Sequence, residues 1–263
     1  MHTIRPMAVL GVLAALGSAA RAETYHLWVD ADGSTHLTIR EPAPGVRFKR
    51  VELPDPVSWA HPPEMPGEVG GPEAPQKSPQ RLFETISQSV YALSGQVSKR
   101  SGPGRKVVVG SAVAITKKLA LTNCHVIAAA GDEIYLGAGG TTVPERVKLV
   151  GADYPADRCV VEVKYMDLQP VPGVRGFDAL EVGEAVFAVG NPMRLQRTFS
   201  EGLLSGKRAL NEQRYLQTSA AISPGSSGGG LFDSHGNLIG ITSFTLKDAQ
   251  SLNFAISAED FWK

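Results

Sequence analysis

The sequence predicts a mostly β domain arranged as an antiparallel barrel or sandwich. Three observations lead there. Glycine (28) and proline (18) are abundant in the 263 residues, too much turn chemistry for a helical bundle. From about Val107 onward, short apolar or alternating runs recur roughly every ten residues, with Gly, Asp, Asn and Pro between them, which is the spacing of antiparallel strands. Helical spacing nearly vanishes after Val90. A content of 43% hydrophobic, 20% charged and 7% aromatic residues excludes a fibre or a disordered tail. Lys plus Arg equals Asp plus Glu, at 26 each, so no basic field drives sequence-independent nucleic-acid binding.

In chain order, the first 22 residues read as a targeting segment. His2 and Arg5 make a weakly positive start, Met7 to Leu16 is apolar or Gly throughout, and Ala20-Arg21-Ala22 is an A-x-A cleavage signal. The apolar run is too short to span a bilayer. Cleavage before Glu23 is expected, with export to the periplasm or beyond and no stable membrane insertion afterwards. Arg5 and Arg21 leave with the segment, so the mature net charge is about −2. Residues 23–53 then form a small module. Tyr25 to Val29 and Thr35 to Ile39 are β-like, joined by Asp30-Ala31-Asp32-Gly33-Ser34, a hairpin turn with Gly33 at a positive φ. Trp28, Val29, Asp30 and Gly33 form a W-V-D-x-x-G pattern, which resembles a small domain of unknown function at the N terminus of many exported bacterial proteins.

Residues 54–80 are expected to be an extended linker, because Pro54 to Pro79 carries 8 of the 18 prolines and cannot donate a hydrogen-bond ladder. Residues 81–263 follow as one domain. Leu82 to Val90 has helical spacing after a Ser78 cap. Strand-like runs then occupy Val107 to Thr116, Leu119 to Thr122, Glu133 to Leu136, Val143 to Val150 and Cys159 to Val163. Further runs are Ala185 to Gly190, Thr198 to Ser205, Leu231 to Phe232, Leu238 to Ser243 and Leu252 to Ile256. Ser257 to Lys263 reads as a closing helical turn, with Ser257 as cap and Glu259 and Asp260 at its positive end.

Three segments bear chemistry. Ser223-Pro224-Gly225-Ser226-Ser227-Gly228-Gly229-Gly230 surrounds a hydroxyl with small residues. Such a turn exposes backbone N–H groups, the donors that a tetrahedral oxyanion needs beside an activated serine. Leu119 to Val126 sets His125 at the end of an apolar strand, where an imidazole can emerge from a core and face a cleft. Ala152 to Val161 sets Asp157 just before another apolar strand, where it can orient an imidazole, and Asp153 is the rival acid four residues earlier. Each segment alone has an ordinary structural reading.

Together, His125, Asp157 and Ser227 stand in contexts that resemble the trypsin-like serine proteases, specifically the HtrA-type branch, over about residues 81 to 260. The carrying pieces are Gly110-Ser111-Ala112-Val113, Thr122-Asn123-Cys124-His125-Val126, Asp157 with its following strand, and Val186 to Pro192. Gln217 to Ile222, Gly225-Ser226-Ser227-Gly228-Gly229 and Leu238-Ile239-Gly240-Ile241 complete the set. The resemblance implies two antiparallel six-stranded β-barrels with the site between them. His125 and Asp157 would come from the first barrel and Ser227 from the second. Ser226 stands where digestive members carry an Asp that pairs with a new N terminus, so no zymogen switch is expected. Arg158 and Gly230 depart from the residues common in the branch. The chain ends soon after the last barrel strand, so no PDZ domain is expected.

The implied activity is peptide-bond hydrolysis of protein or peptide substrates through an acyl-enzyme, with no metal and no cofactor. His125, Asp157 and Ser227 would be catalytic, and Gly225, Ser226 and Ser227 would form the oxyanion hole. Ala221, Ile222, Ser243 and Phe244 would line the substrate pocket, which offers no carboxylate to Lys or Arg and so favours cleavage after small or medium apolar residues. A catalytically silent binding protein and an esterase-type hydrolase are the alternatives. His125 bonded to Asp157 brings Cys124 and Cys159 together, so the only two cysteines are expected as a disulfide in an oxidising compartment. Buried free thiols and a redox pair remain the other readings. His235, in the turn Asp233 to Asn237, reads as a solvated turn histidine.

Overall fold

The structure, a computed structural model, describes residues 24–29, 35–53, 64–70, 75–96, 106–131, 133–138, 143–191, 197–210, 213–245 and 252–263. The expected targeting segment and the 30–34 turn lie outside these residues.

Strands β1 (Thr24–Val29), β2 (Thr35–Thr38) and β3 (Phe48–Glu52) form an antiparallel sheet in the order β2-β1-β3. Helix α1 (Pro79–Ile86) starts where Pro79 is tolerated, at the first helical position, and the Ser78 hydroxyl accepts the Arg81 N–H at 3.4 Å. It ends sooner than its sequence spacing suggests. A 3₁₀ turn follows at Ser87–Ser89, and Val90 already opens a strand because Val90-Tyr91-Ala92-Leu93 pairs with Val113 to Gly110, and Ala92 and Leu93 pair also with Gly137 and Leu136 on the other side.

Seven strands make the first β unit: β4 (Val90–Gln96), β5 (Lys106–Ala114), β6 (Leu119–Thr122), β7 (Ile134–Gly137), β8 (Glu145–Arg146), β9 (Lys148–Asp153) and β10 (Arg158–Glu162), in the order β8-β7-β4-β5-β6-β10-β9. Helix α2 (Cys124–Ala130) sits between β6 and β7. The second unit contains β11 (Gly173–Val174), β12 (Ala185–Gly190), β13 (Thr198–Leu210), β14 (Gln213–Thr218), β15 (Gly230–Asp233), β16 (Asn237–Thr245) and β17 (Asn253–Ser257). Its order is β11-β16-β15-β12-β13-β14-β17, and the additional pairing of β16 with β17 closes a six-stranded barrel.

The double-barrel fold is therefore present with one difference. The second barrel closes, whereas the first remains a half-barrel among the described residues. The Val143 to Val150 run supplies two pieces rather than one strand, with two-residue β8 turning directly into β9, too short to complete a ladder between the two edges. One apolar core runs between the units: Leu82, Ile86, Val113, Leu121 and Val160 pack with Phe232, Leu238, Ile241 and Phe261.

Two departures noted in the sequence find local reasons. A Cβ on Gly230 would run into the Phe232 ring, so the absent side chain makes room for a buried aromatic. Arg158 reaches the Asp153 carboxylate and the Asp260 carbonyl, which fastens the β9–β10 turn to the C-terminal 3₁₀ turn Ala258–Trp262. The Ser257 hydroxyl makes no cap to that turn. Asp260 instead accepts the Arg214 N–H at 2.9 Å and its Nε–H at 2.8 Å, and Glu259 pairs with the same guanidinium and accepts the Phe177 N–H at 2.6 Å.

Part of the proline-rich stretch lies on the protein. Val69 and the Asn237 side chain exchange two hydrogen bonds, at 2.7 and 2.8 Å, and the Lys77 N–H donates to the Ser234 carbonyl at 3.1 Å. The remaining linker residues, 54–63 and 71–74, lie outside the described set.

Candidate active site

Strand β6 ends at Thr122, and Asn123 takes an extended conformation before α2 begins at Cys124. His125 thus occupies the first turn of a helix rather than a strand end. The side chain of Asn123 makes no cap to its own helix. It donates to the Asp157 carbonyl at 3.2 Å and so joins the histidine segment to the aspartate turn. Asp157 itself adopts φ +55°, a left-handed conformation that aspartate tolerates better than most residues. Its N–H closes the turn onto the Tyr154 carbonyl at 3.1 Å.

The Asp157 carboxylate receives three donors. Oδ1 accepts the His125 backbone N–H at 2.9 Å, and Oδ2 accepts His125 Nδ1–H at 2.8 Å and the Ser243 hydroxyl at 3.2 Å. A carboxylate on Nδ1 holds the proton there and leaves Nε2 as the basic nitrogen. That Nε2 is buried and has no hydrogen-bond partner among the described residues. Asp153 does not face the imidazole. It accepts the Ala156 N–H at 3.1 Å and pairs with Arg158. Cys124 and Cys159 form a disulfide, with Cα atoms 5.0 Å apart, that ties the start of α2 to β10.

On the second barrel, Ser223-Pro224-Gly225-Ser226 forms a turn closed by Ser226 N–H to the Ser223 carbonyl at 2.9 Å. Proline second and a glycine at φ +96° third define a type II turn, and only glycine takes that third place without strain. The following carbonyls all point into the protein. Gly225 O accepts the Ser111 hydroxyl at 3.0 Å, Ser226 O accepts the Thr242 hydroxyl at 2.6 Å, and Ser227 O accepts the Ser111 N–H at 2.8 Å. In a trans peptide the N–H points opposite its carbonyl, so fixing Ser226 O turns the Ser227 N–H the other way. Among the described residues, the N–H groups of Gly225 and Ser227 have no backbone acceptor. The Ser226 N–H, grouped with them in the sequence reading, is already used to close the turn and is removed from that set.

Ser227 Oγ donates to the Ser243 carbonyl at 3.0 Å, so Ser243 touches both the serine and Asp157. Of the expected pocket residues, Ala221 is exposed with its carbonyl held by Ser200 Oγ at 2.7 Å, Ile222 is half-buried, and Ser243 is buried. Phe244 stacks on Phe254 at 5.0 Å and meets Tyr215 edge-on at 5.8 Å. Burial, then the charges of Asp157 and Asp260, push the Tyr215 phenol upward, which keeps it protonated. Sequence reasoning missed the roles of Ser111, Thr242 and Tyr215. Ser111 stood inside a recognised stretch, yet the partners of its hydroxyl lie 80 and more residues away.

A family model described as trypsin-like peptidase domain matches residues 110–241, which hold all three of His125, Asp157 and Ser227. The chain belongs to the trypsin-like peptidases. Its relatives are HtrA-type. A probable periplasmic serine endoprotease DegP-like from Hahella chejuensis is 36% identical over 182 residues, covering 66% of this peptidase and 36% of that protein. The serine endoprotease DegS of Haemophilus influenzae is 35% identical over 160 residues, covering 56% and 46%. Among solved structures, the HtrA-type protease AlgW with a decapeptide superposes with a TM-score of 0.63 at 29% identity, covering 70% of this chain and 65% of that one. The peptidase thus spans about a third to a half of the length of these curated relatives. Among the described residues, no helix is long and apolar enough to cross a membrane.

Proposed function

We propose that this trypsin-like peptidase is an exported serine endopeptidase in which His125, Asp157 and Ser227 act as the triad. The observation that carries the reading is the carboxylate-held imidazole whose Nε2 has no partner among the described residues, in the same site as a serine whose loop carbonyls are turned inward. In catalysis, Ser227 Oγ turns about χ1 from the Ser243 carbonyl to His125 Nε2, which takes its proton as Oγ attacks the scissile carbonyl. Asp157 keeps the imidazole in the required tautomer and stabilises the imidazolium. The N–H groups of Gly225 and Ser227 receive the oxyanion. His125 returns the proton to the leaving amine, and water then hydrolyses the acyl-enzyme by the same steps in reverse roles.

Ala221, Ile222, Ser243 and Phe244 present no carboxylate, which favours small or medium apolar residues at the cleaved position. Export rests on the A-x-A segment and on relatives whose names place them in the periplasm. A fluorophosphonate probe and casein together test the activity: the wild type is expected to be labelled and to degrade casein, and Ser227→Ala to do neither. Labelling without casein cleavage would favour the esterase reading, and no labelling the silent binding protein. A peptide-library profile dominated by Arg or Lys at the cleaved position would overturn the specificity.

A further inference from the structure

The N-terminal sheet has little core of its own, yet it is not set apart from the peptidase. Tyr25 of β1 is 5% exposed and belongs to the first unit's apolar core, with Cys124, Val126, Ile127, Ala130 and Cys159. Leu37 of β2 packs against the same cluster, and both strands lie against α2. Along β1, Tyr25, Leu27 and Val29 share one face, and that face includes the ring that enters the core.

Tyr25 also meets the aspartate side of the site. Its ring lies 5.4 Å from that of Tyr154, tilted by 58°, and Tyr154 is itself only 4% exposed. The Tyr154 carbonyl is the acceptor that closes the turn onto the Asp157 N–H. Asp157 sits there at φ +55°, a left-handed conformation that a non-glycine residue holds at some cost, so the packing around its turn helps to keep it. One side chain from the N-terminal sheet therefore supports both halves of the His125–Asp157 pair from behind, the helix through the shared core and the acid through Tyr154.

We infer that the N-terminal module is a built-in support of the catalytic pair and that Tyr25 is a positioning residue for Asp157 and His125. This rests on the triad reading above. The module thereby gains a role that its pattern alone does not disclose: it is the occupant of an apolar surface behind the site, supplied by the same chain. Removing the Tyr25 ring leaves a cavity behind α2 and lets the Tyr154 turn relax. The bond from His125 to Asp157 then loosens without any change in the residues that meet substrate.

The test uses the full mature chain, a fluorogenic peptide with an apolar residue at the cleaved position, and fluorophosphonate titration of reactive serines. Tyr25→Ala is expected to lower kcat by roughly ten- to a hundredfold, the scale of an ångström-level misplacement, with KM within about twofold. The number of titratable serines should stay at one per chain while each is labelled more slowly. Tyr25→Phe, which keeps the ring, should restore wild-type kcat to within about twofold. Unchanged kcat in Tyr25→Ala overturns the inference, as does a loss matched by fewer titratable serines, since that is unfolding rather than misalignment. If the alanine variant does not fold, Tyr25→Leu, which keeps apolar bulk without the ring, is read by the same criteria. Failure of the triad reading would show separately, as turnover by Ser227→Ala.

Discussion

The two barrels hold their shares of the site by different physics. In the first, a disulfide, a hydrogen-bonded carboxylate and a packed helix immobilise side chains: His125 and Asp157 are tied at Cys124–Cys159, at Asn123 to the Asp157 carbonyl, and through both carboxylate oxygens. In the second, the backbone is what is fixed. Gly225 allows the turn, a Cβ on Gly228 would run into the Ser111 carbonyl, and the hydroxyls of Ser111 and Thr242 pin consecutive carbonyls. On the proposed triad reading, the difference follows from what each part must deliver. A base needs one orientation of one ring, which a covalent tie and hydrogen bonds to a carboxylate provide. The proposed oxyanion site needs the N–H groups of Gly225 and Ser227 aimed at one point, which fixing the main chain provides.

Changes on either side should break this division in a graded way. The largest loss is expected for Ser227→Ala, about a millionfold in kcat where a complete triad operates, with the melting temperature unchanged, measured as casein turnover beside a thermal scan. Asp157→Asn should cost about four orders of magnitude by misorienting the imidazole, while Asp153→Asn, which touches Arg158 and Ala156, should leave turnover largely intact. The reverse result in a side-by-side kcat comparison would reassign the acid.

Smaller effects sharpen the contrast. Replacing both cysteines with alanine should destabilise the fold by about 4 kcal/mol, from a 35-residue closed loop in the chain-entropy model, and lower kcat as well because the bridge flanks the pair. Denaturant titration reads the first effect. Intact-mass analysis after alkylation without reductant should show no alkyl adducts on the wild type, and two would mean no bridge. On the second side, Ser111→Ala leaves the Asn191 N–H and the Gly225 carbonyl without their buried hydroxyl, at about 1–3 kcal/mol. It should weaken a transition-state analogue more than a substrate-like peptide, which paired inhibition constants would reveal.

The smallest effect lies away from the site. Burial works to raise the Glu259 carboxyl, but the Arg214 hydrogen bond, the Phe177 N–H and the neighbouring positive charges outweigh it and hold it below its ordinary 4.5. A carboxyl with a depressed folded-state value stabilises the protein above its unfolded value and loses that contribution as pH falls through the folded one. Glu259→Gln should therefore cost about 1 kcal/mol at neutral pH, with the gap to wild type closing below about pH 4.5 in denaturant titrations run down the pH scale.

Much of the fold was legible because strand length and punctuation are local properties. Val186 to Val189 and Leu238 to Ile241 are apolar runs between turn residues, and both are strands. Strand β14 escaped because Gln213 to Thr218 is mostly polar and its pairing with β13 and β17 is what makes it a strand. Strand β4 escaped for the opposite reason, since Ser87 to Val90 continues a helical spacing that the 3₁₀ turn at Ser87–Ser89 and the ladder to β5 from Val90 override. In the site, the three candidate residues and both cysteines announced themselves by residue type and context. Ser111, Thr242 and Tyr25 did not, because a buried hydroxyl or ring has no sequence signature until its partner is known.

By itself, the sequence determined the β class, the His125, Asp157 and Ser227 candidates, and the glycines that permit a tight turn around a serine. These depend on residue chemistry and on spacing within a few positions. Only the tertiary structure decided that the Ser226 N–H closes a turn instead of facing the cleft, that Asp157 and not Asp153 meets the imidazole, and that the N-terminal sheet lies behind the site. The last two depend on hydrogen-bond partners and packed surfaces tens to more than a hundred residues apart, which local pattern does not encode.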